Sequence, residues 1–183
     1  MYKAIEDSLI QKYKGWKGAS QFEGSGVRLE RLMGEMCYTS EGIYEVVRGC
    51  FKSVFEDSYD EMLVAGPIEV WTLCPHHLLP CSFKVHIGYI PKGKVLGLSK
   101  FGRVAVVMGK RPVMQEMYSR ELADVFCKNL EPEGLGVRVV GRHGCMEARG
   151  LKQGLDVVTS VLRGSFKEDP TVRKEFFALV DNG

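Results

Sequence analysis

Three of the four histidines in this 183-residue chain fall in two short segments, Cys74-Pro75-His76-His77 and His143-Gly144-Cys145. Two distant stretches must meet at one point if these side chains act together, and that demand constrains the fold more than any other feature. Thiolate and imidazole together suit a borderline-soft ion such as zinc. Cys74 and His77 can both point into one site from a tight turn after a strand, and Cys145 can close it from elsewhere in the chain. Two thiolates and one imidazole are the ligand set of a catalytic zinc with one position left for water. A structural site needs a fourth protein ligand, which Cys81 or a remaining histidine could supply. The plainer alternative is buried cysteines with surface histidines. If zinc is held, His76 and His143 are left over, each beside a ligand. Neutral imidazole carries protons near pH 7, so the set points to metal-assisted hydrolysis or hydration.

The charge balance narrows the partners. Lys and Arg number 25 against 23 Asp and Glu, for a net charge of +2. That excludes a polybasic nucleic-acid binder of the usual kind and an acidic tail protein. No apolar run approaches the roughly 20 residues that cross a bilayer, and MYKAIEDSLIQKYKGWKG at the N-terminus reads as neither signal peptide nor anchor. The expectation is a cytoplasmic protein with neither nucleic-acid nor membrane partners. Six cysteines in a chain long enough for its own core read mostly as small buried hydrophobes, with Cys37, Cys50 and Cys127 on helical apolar faces.

Hydrophobic patterning gives an α+β class. Residues 1–27 read as a short helix or arm and a flexible link, followed by one domain over 28–183. Helical spacing runs from Val27 to Met36 and from Glu41 to Phe55, the latter with Ser40 as N-cap. Met62–Thr72, Phe83–Ile90, Val95–Leu98 and Leu135–Val140 read as strands. Helices are expected over Phe101–Met108, from about Pro112 to Leu130, and after Asp169-Pro170, where N-cap and first-turn proline coincide. His86, on the polar side of an alternating strand, reads as a surface or interface histidine, and Trp16 and Trp71 as packing residues.

A second constellation concerns anions. Ser99, Lys100 and Arg103 follow a glycine-containing strand end and can meet a helix N-terminus, while Arg149 follows Cys145 closely; such groups suit phosphate, or simply a solvated rim. Gln115-Glu116 opens a helix. A carboxylate there can accept two N–H bonds from a guanine edge, or be an ordinary first-turn glutamate.

These motifs, in this order, resemble the GTP cyclohydrolase I family. The similarity runs from about Glu61 to Leu179 and is carried by CPHHLLP, KVHIGYIPKGKVLGLSK, the Gln115-Glu116 pair, HGCMEARG and FKEDPTVRKEF. The resemblance implies zinc on Cys74, His77 and Cys145, with His76 and His143 as catalytic histidines and Ser99 beside the reacting part of the substrate. It implies guanine recognition by Glu116 with Gln115 next to it, and triphosphate binding by Lys100, Arg103 and Arg149. The implied reaction hydrolyses GTP at C8, releases formate and rearranges the ribose to 7,8-dihydroneopterin triphosphate. The implied architecture is the tunnelling fold (T-fold), antiparallel strands with paired helices. Its subunits join into a barrel, as a decamer of two stacked pentamers with active sites between subunits.

Several positions depart from the family's usual pattern. Pro75 stands where a glutamate is usual, removing a carboxylate and a backbone donor. The Ser/Thr-rich stretch after Arg-Gly is shortened to residues 153–160, and Asp156 adds a negative charge there. Arg163 replaces an apolar residue, and Arg28 or Arg31 only loosely matches an N-terminal Thr-Pro-x-Arg element. The departures keep a second reading open, the same fold and zinc with a different purine- or pterin-like substrate. A third, a non-catalytic nucleotide-binding relative, does not require the five Cys and His residues that are all present.

Overall fold

The computed structural model describes residues 1–181. They form two compact units, Met1–Tyr38 and the chain from Thr39 onward. In the first, α1 (Tyr2–Lys12) and α2 (Ser25–Met36) are joined through a 3-10 turn at Ala19–Phe22. The helices meet where α2 carries Gly26: a Cβ there would sit 3.0 Å from the Tyr2 carbonyl oxygen. The close approach lets the Gly26 N–H donate to the Glu6 carboxylate at 2.7 Å, which also accepts from Lys3 Nζ at 2.7 Å. Lys3, then the Gly26 N–H, hold the Glu6 carboxyl down to about 2. The expected link ending at residue 27 instead lies partly inside α2. Arg28 ties the turn before that helix by donating to the Gln21 and Glu23 carbonyls.

In the second unit, α3 (Ser40–Cys50) is followed by β1 (Val54–Glu56), β2 (Leu63–Leu73), β3 (Pro80–Ile90), β4 (Lys94–Leu96), α4 (Ser99–Met108), α5 (Gln115–Leu130) and β5 (Gly134–His143). Then come α6 (Gly144–Glu147), β6 (Val157–Gly164), α7 (Ser165–Glu168) and α8 (Pro170–Asp181). The expected α+β class is observed. Four strands form an antiparallel sheet in the order β2-β3-β5-β6, and β1 pairs with β4 in a small separate ribbon.

Strand alternation sets the two faces of the sheet. Phe83, Val85, Ile87 and Tyr89 of β3 pack with Phe101 and Val104 of α4 and with Tyr118, Leu122 and Phe126 of α5, all essentially fully buried. Each such side chain contributes about 1.5–3 kcal/mol on burial. The opposite face is closed by Phe166, Phe176 and Val180, against Val64, Ile90 and Leu162. Gly88 and Gly136 sit opposite each other on β3 and β5. A Cβ at either would come within 2.7 Å of the Phe166 or Phe176 ring, so the glycine pair forms the groove that holds both rings.

Several expectations are corrected. The helix expected to reach Phe55 stops at Cys50, because Val54, Phe55 and Glu56 pair with Leu96, Val95 and Lys94. Its N-cap is Thr39 rather than Ser40, the Thr39 hydroxyl accepting from the Gly42 N–H at 3.1 Å. The helix expected from Pro112 begins at Gln115, since Val113 donates instead to the Leu73 carbonyl at the end of β2. β6 lies in a stretch read only as a shortened hydroxyl-poor segment. His86 is buried, whereas Trp16 and Trp71 are largely exposed. The cap of α8 is as expected, with Asp169 Oδ1 accepting from the Thr171 N–H at 2.7 Å.

Candidate functional site

Strand register brings the two Cys/His segments together. β2 and β3 form a hairpin whose loop runs from Cys74 to Leu79, closed by Cys74 N–H to Leu79 O at 2.9 Å and Leu78 N–H to Cys74 O at 2.8 Å. Leu78 takes φ +53° to make this turn, a conformation costing a non-glycine residue roughly 1–2 kcal/mol. Cys81, just inside β3, lies directly opposite His143 at the end of β5. The hairpin loop and the segment from His143 into α6 therefore share one end of the sheet.

There Cys74, His77 and Cys145 place their ligand atoms within 4.8 Å of one another. Cys74 Sγ and His77 Nδ1 are 3.5 Å apart. Tetrahedral zinc with Zn–S of about 2.3 Å and Zn–N of about 2.0–2.1 Å has an edge of about 3.6 Å between such ligands, so the pair fits one ion. The donor chemistry fits as well. Burial and then its Cys74 neighbour push the Cys145 thiol up, a repulsion that a shared cation reverses. Cys81, the fourth ligand considered from sequence, lies outside this group.

The remaining site residues divide by exposure. His76 is exposed beside His77, their rings edge to face at 6.2 Å. Arg149 is exposed and its Nη1 lies 2.7 Å from His77 Nε2. Glu116 is exposed on the first turn of α5, and its charge acts on His143. Ser99, Lys100 and Arg103 stand in the first turns of α4, which packs on α3, β2 and α5. Asp156 lies 3.8 Å from Arg142 Nε, an exposed pair that meets the added negative charge. Arg163 pairs with Asp124 at 3.2 Å.

Gln115 is the inward member of its pair, 1% exposed. Its Nε2 donates toward Val157 O at 2.8 Å, Val139 O at 3.2 Å and Thr159 Oγ1 at 3.2 Å, and its Oε1 lies 2.8 Å from His143 Nε2. Ser119 Oγ bonds Gln115 O and Thr159 Oγ1, both at 2.7 Å. On the other side of the ring, His143 Nδ1 is 3.5 Å from Cys81 Sγ. Burial lowers the His143 pKa, opposed by Glu116 and Glu147. Burial, then Cys145 and Cys74, push the Cys81 thiol up to about 11. Sequence reasoning missed Cys81 as the neighbour of His143, which the β3–β5 register aligns, and Ser119 and Thr159 as partners of Gln115, which the packing of α5 on β6 brings together.

A two-thiolate, one-imidazole cluster at a sheet end, with histidines beside it, has the residue types that could hold a metal ion in a hydrolase. A sequence profile of GTP cyclohydrolase I matches residues 21–181, and the chain belongs to that family. It is 37% identical over 182 residues to GTP cyclohydrolase 1 of Synechococcus sp. (strain JA-2-3B'a(2-13)), covering 98% of this chain and 78% of that one. It is 42% identical over 142 residues to the protein of that name from Hahella chejuensis (strain KCTC 2396), covering 77% and 74%. The backbone also overlays in part on an apo archaeosine synthase QueF-like structure. There the TM-score is 0.45 at 20% identity, over 60% of this chain and 97% of that one.

Proposed function

We propose that this chain is a zinc-dependent GTP cyclohydrolase I: it opens the imidazole ring of GTP at C8, releases formate and rearranges the ribose to give 7,8-dihydroneopterin triphosphate. The observation that carries this reading, within an established family, is the gathering of Cys74, His77 and Cys145 within 4.8 Å at the sheet end that also holds His143. These three residues hold the metal, which when bound supplies Lewis-acid activation of water. His143 and His76 move the protons that C8 hydrolysis and ribose rearrangement require, beginning at N7 of the guanine. Glu116 accepts from the guanine N–H edge, with Gln115 beside it. Ser99 lies by the reacting part, and Lys100, Arg103 and Arg149 hold the triphosphate.

The exposure of His76, His77, Glu116 and Arg149 supports a site completed by a neighbouring subunit. β2 and β6 are the two edges of the main sheet, and Trp71 and Val158 on them are each 54% exposed. Edge-to-edge pairing into a barrel covers such strands, and the reading is a homo-oligomer, a decamer of two stacked pentamers, working in the cytoplasm. Pro75 beside the ligand Cys74, without the family's usual carboxylate, favours as second reading a related purine or pterin substrate.

The test is incubation of purified, zinc-loaded protein with GTP, with formate and dihydroneopterin triphosphate followed by mass spectrometry. Both products form, and His143→Ala lowers their rate by about 10²–10⁴-fold. Intact GTP with a loaded metal site overturns the proposal and turns the search to other purine-like substrates.

A further inference from the structure

We infer that Gln115 and Cys81 act as a pair of positioning residues that lock His143 as its Nε2–H tautomer, leaving Nδ1 as the basic nitrogen with the Cys81 thiol donating to it. The inference deepens the reading of His143 as a proton carrier and rests on it for its consequence in turnover.

The Gln115 carboxamide is held in one orientation. Its Nε2 faces two backbone carbonyl oxygens, Val157 O at 2.8 Å and Val139 O at 3.2 Å, which can only accept. Turning the amide over would set oxygen against oxygen in a buried site and leave polar groups unpaired there. Oε1 is thereby directed at His143. The site is shaped for it: a Cβ at Gly141 would collide with Oε1, and Gly141 lies beside Val157 in the strand register. Ser119 and Thr159 brace the same residue from α5 and β6.

A carbonyl oxygen cannot donate, so the 2.8 Å contact requires the proton to sit on His143 Nε2. In the neutral ring Nδ1 then carries the lone pair. The group facing it is Cys81 Sγ at 3.5 Å, placed there by the direct cross-strand pairing of Cys81 with His143. Cys81 is 2% exposed, and its single S–H has two acceptors in reach, His143 Nδ1 at 3.5 Å and Leu79 O at 3.8 Å, of which the ring nitrogen is the nearer. Phe83, at a ring centroid distance of 5.8 Å, packs against the same imidazole. Orienting the second nitrogen through a fixed partner is how proteins choose a histidine tautomer. Here the consequence is specific: the lone pair of the neutral ring lies at Nδ1 and is aimed at the Cys81 side.

The test is magic-angle-spinning NMR of the zinc-loaded protein carrying ¹⁵N-histidine, with His143→Gln to assign the signals. Wild type is expected to show a protonated Nε2 and an unprotonated Nδ1 for His143. Cys81→Ala should move the Nδ1 resonance toward that of a ring nitrogen without a hydrogen bond. It should also lower kcat by roughly 10-fold with KM unchanged, and Cys81→Ser, which keeps a donor, should recover both. Three results overturn the inference: a protonated Nδ1 in wild type, a Cys81→Ala spectrum superimposable on wild type, or zinc X-ray absorption requiring a third sulfur and so making Cys81 a ligand. The tautomer is read without turnover, so a failure on GTP would sink the function proposed above and not this pairing.

Discussion

Asp156 is an exposed carboxylate 3.8 Å from Arg142 Nε, and Arg142 also donates to Glu147 at 2.5 Å. Exposed pairs of this kind contribute about 0–1 kcal/mol. Asp156→Asn is therefore expected to leave thermal unfolding nearly unchanged. If the triphosphate lies near, the same substitution lowers KM for GTP without changing kcat, because a repulsive charge is gone; steady-state kinetics reads both. The proposed metal ligands behave differently. His77→Ala or Cys145→Ala removes one of the three donors, so metal analysis after dialysis should find no retained zinc, and product formation should fall by more than about 100-fold. Zinc retained in full by either variant would exclude the cluster as the metal site.

Elements are set by pairing as much as by propensity. Val54 and Phe55 continue a helical apolar pattern on paper, yet β4 offers them a partner and takes them out of α3. The Gly88–Gly136 pair shows the converse, where missing side chains create packing. Gly136→Ala should push into the Phe166 and Phe176 rings and cost about 1–3 kcal/mol, measured as a lower midpoint in thermal or urea unfolding. In the N-terminal unit, the α1–α2 contact should be acid-sensitive. The folded Glu6 carboxyl titrates at about 2 against an ordinary 4.5. Its stabilisation is thus fully present above about 4.5 and is lost as pH falls toward about 2. Hydrogen exchange of α1 and α2 should report the loss, and Glu6→Gln should be less protected at neutral pH and converge with wild type at the acid end.

At the scale of the whole molecule, the described residues leave β6 without a strand on its outer side and β2 with only the bridge from Leu73 to Pro112. Placing lysine at Trp71 and Val158 together should block edge pairing by charge and desolvation cost. Sedimentation is expected to show smaller species, with zinc still bound and turnover lost. An assembly of unchanged size in that variant would argue against barrel closure through β2 and β6.

The sequence by itself determined the α+β class, most strand positions, the cap of α8 and the residue types of the site. These follow from local rules: period-two alternation, Asp-Pro capping, and the preference of thiolate and imidazole for a soft cation. It did not reveal β6, whose Val-rich run carries no turn signal of its own and becomes a strand by pairing with β5. Nor could it reveal that α5 starts at Gln115 or that His86 is buried. Only the tertiary structure decided that Cys81 faces His143 and that Gln115 turns inward to hold that ring while Glu116 remains outside. The first depends on strand register, which matches backbone groups far apart in the chain, where a shift of one residue would send the side chain to the opposite face; the second depends on how α5 packs on β5 and β6.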